Sequence, residues 1–351
     1  MRSLVVIFFS SLALAACGGG GGTAVGAATQ TSPAVTPSPQ IVQTSTVPMP
    51  SQGDYYTYRT NFGRTLAGKT RTDATGLYTK SYSDFDLSGN MITTFGDSEF
   101  HYEVSAVVAG AGINGGNEVG AQGCEYRYSP TWYEIPATVT VGMAWQNAAS
   151  KANANSSCAQ SNLPVTVSVK GSAVGTETID VAAGRFDTIK LVYQTIWVLK
   201  KSTQVNDVSC WRDVVSGMNV KCVADISTTP SGANGATTKA TRTDELLGYA
   251  TAATGRRKDV VERFAGTWTD VMLQSTTAND CVFDIGATGK FNATCSSIVS
   301  GNITVPISGS VNASGELSLT IDGQDFSGKG ADGLQFSGQS KAGNRVNFSH
   351  R

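Results

Sequence analysis

Apolar and polar residues alternate with a period of two along most of the chain. Such alternation places every second side chain on one face of a strand, so it predicts half-buried β-strands. No stretch shows a convincing helical period over three turns, which argues against a helical fold. In the first part of the chain, alternating, aromatic or β-branched runs predict strands at residues 54–60, 99–108, 124–128, 163–169, 177–181, 188–198, 205–211 and 220–227.

Turn chemistry becomes regular after residue 262. A glycine precedes an alternating strand at four places, residues 287–291, 313–317, 331–335 and 341–345. Glycine takes the positive φ that tight hairpin loops require. The pattern predicts about eight short strands in a meander, enough to close a small barrel and remove its exposed edges. The apolar positions that step by two are Ile303, Val305, Ile307, Leu317, Leu319, Ile321, Leu334, Phe336, Val346 and Phe348.

These patterns predict a mainly β protein with two folded regions. A length of 351 residues allows two modest domains. The low charged fraction of 15% and the 39 glycines are typical of turn-rich antiparallel structure. We expect a curved, half-barrel-like antiparallel sheet domain at residues 54–250, a linker at 251–261 and a small up-and-down β-meander or barrel domain at 262–351.

The amino terminus has the pattern of an export signal. Arg2 is followed by an apolar run, residues 4–14, that is too short to span a bilayer. The motif Leu14-Ala15-Ala16-Cys17 resembles the lipobox of bacterial lipoproteins. That resemblance implies removal of residues 1–16, a diacylglycerol on the Cys17 sulfur and an acyl chain on its new amino group. The alternative is an ordinary signal peptide with a chance cysteine.

Residues 17–53 are expected to form a lipidated tether. From Gly18 to Gly53 there is no charged residue, and the composition is rich in Gly, Thr, Ser, Ala and Pro. Such a segment buries too little apolar surface to offset the entropy of ordering it. Gly18 stands where an aspartate is the usual signal for inner-membrane retention in enteric-type bacteria. We therefore expect an outer-membrane anchor in the cell envelope, on a face of that membrane that the sequence leaves open.

Cysteine usage agrees with export. Apart from Cys17, six cysteines remain, and an oxidising envelope favours disulfides over free thiols. Six cysteines allow 15 connectivities, so sequence-local pairing is a hypothesis. A metal cluster is the alternative, but it lacks a Cys-x-x-Cys spacing and only two histidines, His101 and His350, could contribute. The expected pairs are Cys124 with Cys158, Cys210 with Cys222, and Cys281 with Cys295.

One hairpin in the first region has a recognisable form. The run from Gly175 to Leu191 reads as strand, tight turn at Ala183-Gly184, strand. It resembles a hairpin of uncharacterised β-rich lipoprotein and periplasmic domains, in which a Trp-containing hairpin and a closing strand follow. Here these are residues 210–221 and 245–249. The resemblance implies a curved, half-open sheet like that of lipoprotein carriers and sensors, and it brings no catalytic residues.

The second region carries a possible barrel motif. Gly266 and Trp268 on its first strand, with Arg345 on its last, resemble the Gly-x-Trp opening and closing basic residue of lipocalin-like barrels. In that family the pair closes one end of the barrel, which is a structural role. A glycine run after the lipidated cysteine, together with a carboxy-terminal eight-stranded barrel, is also similar to surface lipoproteins of Neisseria. That likeness is architectural and implies no partner residues.

Several kinds of chemistry lack their sequence signals. Two Gly-x-Gly-x-x-Gly runs, at residues 110–115 and 328–333, precede no helix pattern and are interpreted as loops. Residues 84–90 begin like a calcium loop, but Phe95 occupies the position of the bidentate glutamate. Neither histidine has a recognisable nucleophile partner, and there is no Gly-x-Ser-x-Gly elbow. Paired acids such as Asp180 and Asp187 leave a carboxylate mechanism open.

Charge gives little indication of a partner. The formal net charge of −1 offers no bulk attraction for nucleic acid. Arg256-Arg257-Lys258 is a basic cluster that we interpret as a solvated linker, the alternative being a contact with anionic lipid or polysaccharide. Large aromatic residues are interpreted as core rather than as the lining of a groove. They are Trp132, Tyr133, Trp145, Trp197 and Trp211.

The leading functional hypothesis is a non-enzymatic, outer-membrane-anchored lipoprotein. It is expected to hold a hydrophobic ligand or an envelope protein in the concave face of the first sheet, with no cofactor and no metal. The alternative is a surface-exposed lipoprotein that binds a host or environmental macromolecule. A carboxylate-dependent hydrolase is the third hypothesis.

Overall fold

The structure is a computed structural model, and its fold agrees with the prediction of a mainly β protein. The described residues are 43–48, 50–66, 69–85, 91–97, 103–107, 112–113, 118–119, 125–130, 132–154, 164–232, 235–273, 279–297, 304–330 and 335–350. Within these ranges the only helical element is a 3-10 turn at Val261–Phe264. No helix in the described part of the chain has the length and apolar character needed to cross a membrane.

The first part of the chain forms a sheet of thirteen antiparallel strands and two small two-stranded sheets. Long strands follow from long alternating runs, in which the β-branched residues Val, Thr and Ile are frequent. The strands are β1 (Thr44–Thr46), β2 (Tyr55–Leu66), β3 (Lys69–Phe85), β4 (Met91–Asp97), β5 (Glu103–Val107), β6 (Gly112–Ile113), β7 (Glu118–Val119), β8 (Glu125–Ser129), β9 (Ile135–Pro136), β10 (Thr138–Thr140), β11 (Ala144–Ala154), β12 (Pro164–Val181), β13 (Gly184–Leu199), β14 (Ser202–Asp213), β15 (Asn219–Pro230), β16 (Thr238–Thr251) and β17 (Arg256–Lys258).

The large sheet closes on itself. Its order is β15-β14-β13-β12-β11-β8-β7-β5-β4-β3-β2-β16-β17, and β15 also pairs with β16. Residues 239–245 of β16 are hydrogen-bonded to β15 on one side and to β2 on the other. All strands of the large sheet except β17 therefore belong to a closed ring, and the buried face of the sheet is its interior. The sequence-based expectation was a half-barrel; the β15–β16 pairing adds the closure.

Two short segments cover part of that buried face. Strand β10 pairs with β1, and β9 pairs with β6, so these four strands form two small sheets outside the ring. Residues 132–141, here called the covering segment, place Ile135 and Val139 at 0% exposure among apolar side chains of the ring. Val47 packs against the same cluster. Strand β1, which lies within the stretch expected to form the tether, is hydrogen-bonded to β10 of the covering segment.

Strand β12 runs unbroken across two glycines. The alternating pattern predicted separate strands at 163–169 and 177–181, whereas the structure has one strand with a bulge between Ala173 and Gly175. At the next hairpin, Val181 pairs with Gly184, so the turn is Ala182-Ala183, one residue earlier than predicted. Gly184 has φ of 134°, a conformation that favours glycine.

The second sheet is a nearly closed barrel, as the turn glycines predicted. Its strands are β18 (Gly266–Leu273), β19 (Asn279–Asp280), β20 (Val282–Ile285), β21 (Lys290–Ser297), β22 (Thr304–Val311), β23 (Glu316–Ile321), β24 (Gln324–Gly330), β25 (Gln335–Ser340) and β26 (Arg345–His350). Their order in the sheet is β19-β21-β22-β23-β24-β25-β26-β18-β20. Gly289, Gly315 and Gly343 take positive φ in its hairpin turns.

The interior of the barrel is filled by its own side chains. Strands β22, β23 and β25 alternate exposed and buried positions, as a one-sided sheet requires. Trp268 is 0% exposed and packs on Phe336, with ring centroids 4.6 Å apart. Seventeen buried residues form one apolar cluster. The barrel core is therefore structural.

Candidate ligand-binding interior

Strand β13 shows how the large sheet separates its two faces. From Ile189 onward, Leu191, Tyr193 and Thr195 are buried, while Val192 is exposed and Gln194 is half-buried. The strand follows the period-two pattern of its sequence over this stretch. Apolar and aromatic side chains thus line the interior, and the outer face is more polar.

Aromatic rings dominate one part of this interior. Trp132 of the covering segment lies edge-on to Trp197, with centroids 5.0 Å apart, and Tyr128 contacts both rings. Trp145 lies 6.3 Å from Tyr193. The interpretation of Trp132 and Trp145 as core residues is confirmed, since they are 3% and 8% exposed. Large aromatic side chains of this kind provide much apolar contact area for a bound molecule as well as for the fold.

Polar contacts fasten the covering segment to the sheet. The Trp145 Nε1–H donates to the Glu134 carbonyl at 3.1 Å. The Thr195 hydroxyl donates to Glu134 Oε1 at 3.4 Å, and Asn147 Nδ2 donates to the Tyr133 carbonyl. Glu134 thereby brings a carboxylate next to the buried ring strands. Burial and the Glu134 carboxylate raise the pKa of Tyr193 well above its usual value.

Arg212 is the most unusual residue of the interior. It lies opposite Ile189 on β13, is 0% exposed and points to the same face as the apolar cluster. Its Nη1 donates to the Pro136 carbonyl at 2.8 Å and to the Ala137 carbonyl at 3.4 Å. Its Nε and Nη2 have no hydrogen-bond partner within the described ranges. Burial lowers the pKa of Arg212 to about 9, so the side chain is still a cation at neutral pH.

Lys80 adds a second buried cation. It is 9% exposed and lies over the Tyr82 ring, with Nζ 5.9 Å from the ring centroid. Burial lowers the pKa of Lys80 to about 8, and the Glu134 carboxylate opposes that shift. Burial also raises the pKa values of Tyr56 and Tyr58 well above the usual value for tyrosine. The interior therefore combines aromatic surface with a few ionisable groups, as ligand sites commonly do.

The outer face of the large sheet has an open cleft of about 570 Å³. Lys170 and Asp207 line it, and Asp207 accepts a hydrogen bond of 2.8 Å from Gln194. Val192 in the cleft is 40% exposed, and Val174 on the neighbouring strand is 54% exposed. Trp211 also belongs to this face, where its Nε1–H donates to Glu177 at 2.7 Å. The outer face thus presents some apolar surface among charged groups.

Two of the three expected disulfides are present. Cys210 and Cys222 lie directly opposite each other on β14 and β15, with Cα atoms 4.1 Å apart. Cys281 and Cys295 bridge the two sides of one hairpin, with Cα atoms 4.5 Å apart. Cys124, Cys158 and the lipidation candidate Cys17 lie outside the described residues, as does His101.

The expected barrel motif is only partly assembled. Gly266 and Trp268 lie on the first barrel strand, and the Trp268 Nε1–H donates to the Phe264 carbonyl at 2.8 Å. The residue opposite Trp268 is His350, and the two rings lie edge-on with centroids 4.9 Å apart. Arg345 is exposed and lies five residues before His350 on β26. Five residues of strand span roughly 16 Å, so Arg345 does not close the barrel over Trp268. The pairing register explains this separation, because Trp268 lies opposite His350 at the end of β26, whereas Arg345 begins that strand, next to Val346, which lies opposite Leu273.

The basic cluster has structural contacts. Arg256 Nη1 lies 2.7 Å from the buried carboxylate of Asp213, and its guanidinium stacks over Phe186. Arg257 pairs with Asp259 at 2.7 Å. Lys258 Nζ donates to the Ala182 carbonyl. Residues 256–258 form β17 on β16, so this linker segment is part of the fold rather than a free basic patch.

The remaining candidates do not converge on a catalytic arrangement. Asp180 faces Arg185 on an exposed hairpin, and Asp187 accepts a 2.7 Å bond from Thr178. In the second glycine-rich run, Gly328 and Gly330 lie in β24, paired with β25. The tip of the calcium-like segment, residues 86–90, lies outside the described residues, although its flanking strands pair as a hairpin. Within the described ranges, no three His, Cys, Asp or Glu side chains group closely enough to hold a metal ion.

Sequence reasoning overlooked Arg212, Lys80 and Glu134. Arg212 falls within residues 210–221, the Trp-containing hairpin of the sequence analysis. The alternating pattern contains a signal for Arg212, because this residue follows Val208 and Cys210 at steps of two and so falls on the buried face of its strand. An arginine at a position that alternation assigns to the core is a candidate buried charge.

No protein-family model, curated protein or solved structure matches the chain. The class of protein is therefore given by its fold, a closed antiparallel ring followed by a small barrel. Function has to be argued from the interior and the surfaces of that fold.

Proposed function

We propose that this chain is an outer-membrane-anchored lipoprotein that binds a hydrophobic ligand inside its large sheet. The single observation that supports the ligand role is the aromatic interior beneath the covering segment, which contains buried ionisable groups. The anchor is argued from the lipobox-like residues before Cys17.

Co-purification tests the ligand role. The full chain carrying Cys17→Ser is purified from a periplasm without detergent and examined by native mass spectrometry, followed by lipid extraction. A bound small molecule that extraction identifies as apolar is the expected result. A protein of bare polypeptide mass in repeated preparations contradicts the ligand role.

Fractionation tests the anchor. Because the acyl chains on Cys17 hold the protein at the membrane, the natural chain is expected in the outer-membrane fraction and the Cys17→Ser chain in the soluble periplasm. Recovery of both chains in the membrane fraction contradicts the anchor.

A second candidate function is binding of a macromolecule at the cell surface. The observation that favours it is the outer-face cleft with exposed Val192 and nearby Val174. Protease added to intact cells distinguishes the two orientations. Digestion of the body supports the surface role, and full protection excludes it.

A further inference from the structure

The guanidinium of Arg212 has one edge engaged and one edge free. Nη1 is used by the carbonyls of Pro136 and Ala137, whereas Nε and Nη2 have no hydrogen-bond partner in the described part of the chain. Nε and Nη2 lie on the same edge of the planar group, with their N–H bonds nearly parallel. This edge is the fork with which arginine binds a carboxylate or phosphate through two hydrogen bonds.

No acidic side chain of the described residues lies within ion-pair distance of Arg212. Asp213, the next residue, is engaged by Arg256 at 2.7 Å and by the Ser216 hydroxyl at 2.6 Å. Glu134 contacts Thr195 instead. The other fully buried arginine, Arg263, differs, because Asp259 lies 3.5 Å from its Nη1. A buried cation without a counterion is unfavourable, so Arg212 calls for an anion.

Apolar side chains occupy the same face of the sheet as Arg212. Ile189 lies opposite Arg212 on β13, and the same face carries Leu191, Tyr193 and Cys210. Asn219 lies opposite Arg212 on β15, and its Oδ1 is also buried without a partner in the described part. An anion at this position is therefore carried most favourably on an apolar body.

We propose that Arg212 binds the oxyanion head group, a carboxylate or a phosphate, of an amphipathic ligand held inside the large sheet. This inference rests on the proposed ligand-binding function and adds the chemistry of the ligand. The fork selects the head group, and the aromatic and aliphatic side chains of the interior contact its chain.

The test compares ligands that differ only in the head group. The full chain with Cys17→Ser, freed of bound lipid on a hydrophobic resin, is titrated by calorimetry at pH 7.4. The probes are dodecanoate, dodecyl phosphate and dodecanol. We expect at least one of the two anions to bind at least tenfold more tightly than dodecanol, because only an anion takes both bonds of the fork.

Substitutions assign the selectivity to Arg212. Arg212→Lys keeps a positive charge but loses the fork, and we expect it to reduce the preference for the anion over dodecanol at least tenfold. Arg263→Lys is the matched control, since it changes the other buried arginine and should leave that preference unchanged. If Arg212→Lys does not fold, the comparison of the three probes with the chain that keeps Arg212 still tests the proposal.

The outcomes separate the two proposals. Equal affinity for anions and dodecanol overturns the role of Arg212 and leaves the ligand-binding function standing. Absence of binding by all three probes overturns both. Inorganic phosphate that binds as tightly as dodecyl phosphate overturns the amphipathic ligand. The order of dodecanoate and dodecyl phosphate shows which oxyanion the fork prefers.

Discussion

At the residue scale, Gly171 shows how a missing side chain makes room for two large ones. It lies on β12 between Trp145 and Tyr193, which are its partners on the two neighbouring strands. A Cβ at this position meets Trp145 Cζ2 at 2.4 Å and Tyr193 Cβ at 2.6 Å. Glycine is normally unfavourable within a strand, so here the packing of the interior accounts for it.

Gly171→Ala is expected to destabilise the protein by about 1–3 kcal/mol, because a methyl group overpacks the interior. Urea unfolding followed by tryptophan fluorescence measures the change. Gly175→Ala is the matched control on the same strand, where a Cβ meets nothing within 4 Å. It should leave stability unchanged or raise it slightly. Equal losses for both variants contradict the packing explanation.

The buried Lys80 predicts a rise in stability with pH. Its folded pKa of about 8 lies below the ordinary 10.5, so between these values the unfolded chain binds more protons and the free energy of unfolding increases with pH. Below pH 8 both states are protonated and the slope disappears. From pH 7 to pH 9 the expected gain is about 1 kcal/mol.

Urea unfolding at several pH values checks this gain. Lys80→Met should abolish it, and Lys170→Met, at an exposed position, should keep it. Measurements stop at pH 9 for two reasons. Arg212, whose pKa is about 9, begins to act in the same direction, and the raised pKa values of Tyr56 and Tyr58 oppose it above pH 10. A flat profile in the natural chain contradicts the burial of Lys80 as a cation.

At the scale of elements, the barrel depends on how its seam is held. Strand β20 pairs with β18, and β21 pairs with β22, so the seam lies between β20 and β21. It is linked by pairing of β19 with β21, by the bond from the Gly286 N–H to the Lys290 carbonyl at 3.0 Å, and by the disulfide of Cys281. The disulfide thus joins strands where the ladder is weakest.

Replacing Cys281 and Cys295 by serine is expected to lower the free energy of unfolding by about 3 kcal/mol, the value for a loop of this length. Amide hydrogen exchange should also increase in β19 and β20. Serines at Cys210 and Cys222 provide the control, because that pair lies within a continuous ladder. Loss of the Cys210–Cys222 disulfide should lower stability without increasing amide hydrogen exchange in β14 and β15. Unchanged exchange in β19 and β20 contradicts the role of the disulfide at the seam.

At the scale of the whole molecule, the segment between the two sheets carries a polar and aromatic cluster. The Tyr55 hydroxyl donates to Asp259 at 2.5 Å. Arg263 lies over the Tyr55 ring at 4.8 Å and the Phe264 ring at 4.3 Å, and its carbonyl accepts a bond from Thr79. Bonds from Arg257 and Tyr55, together with the Arg263 charge, outweigh burial and lower the pKa of Asp259. This cluster fastens the start of the barrel region to β2 and β3.

Asp259→Ala is expected to cost about 2–3 kcal/mol, because it leaves the buried Arg263 cation without its carboxylate. The figure is below that for a fully buried pair, since Asp259 is partly exposed. Asp180→Ala is the control, because the Asp180–Arg185 pair is exposed on both sides and should contribute less than about 0.5 kcal/mol. Urea unfolding compares them. Equal losses of stability in Asp259→Ala and Asp180→Ala contradict a stabilising role of the cluster around Arg263.

Several features could be predicted because they depend on neighbours in sequence. Alternation assigned Leu317 and Leu319 to the core, and turn glycines such as Gly315 marked the hairpins. The pairing of Cys281 with Cys295 followed from its position on either side of one turn. The candidate site was less accessible to such reasoning. The anion fork of Arg212 exists because carbonyls of residues 136 and 137, far away in sequence, use the other nitrogen.

The sequence by itself determined the mainly β character, many of the strands and hairpin turns, and two local disulfides, because strand periodicity, glycine conformation and hairpin geometry act over a few residues. Only the tertiary structure decided the closure of the ring, since Thr60 must pair with Asp244 and Cys222 with the same residue from the other side. It also decided that β1 joins the body and that Arg345 lies away from Trp268. These outcomes depend on which surfaces, distant in sequence, pack against each other. The alternating pattern does not specify them, because it is compatible with many different pairing partners for the same strand.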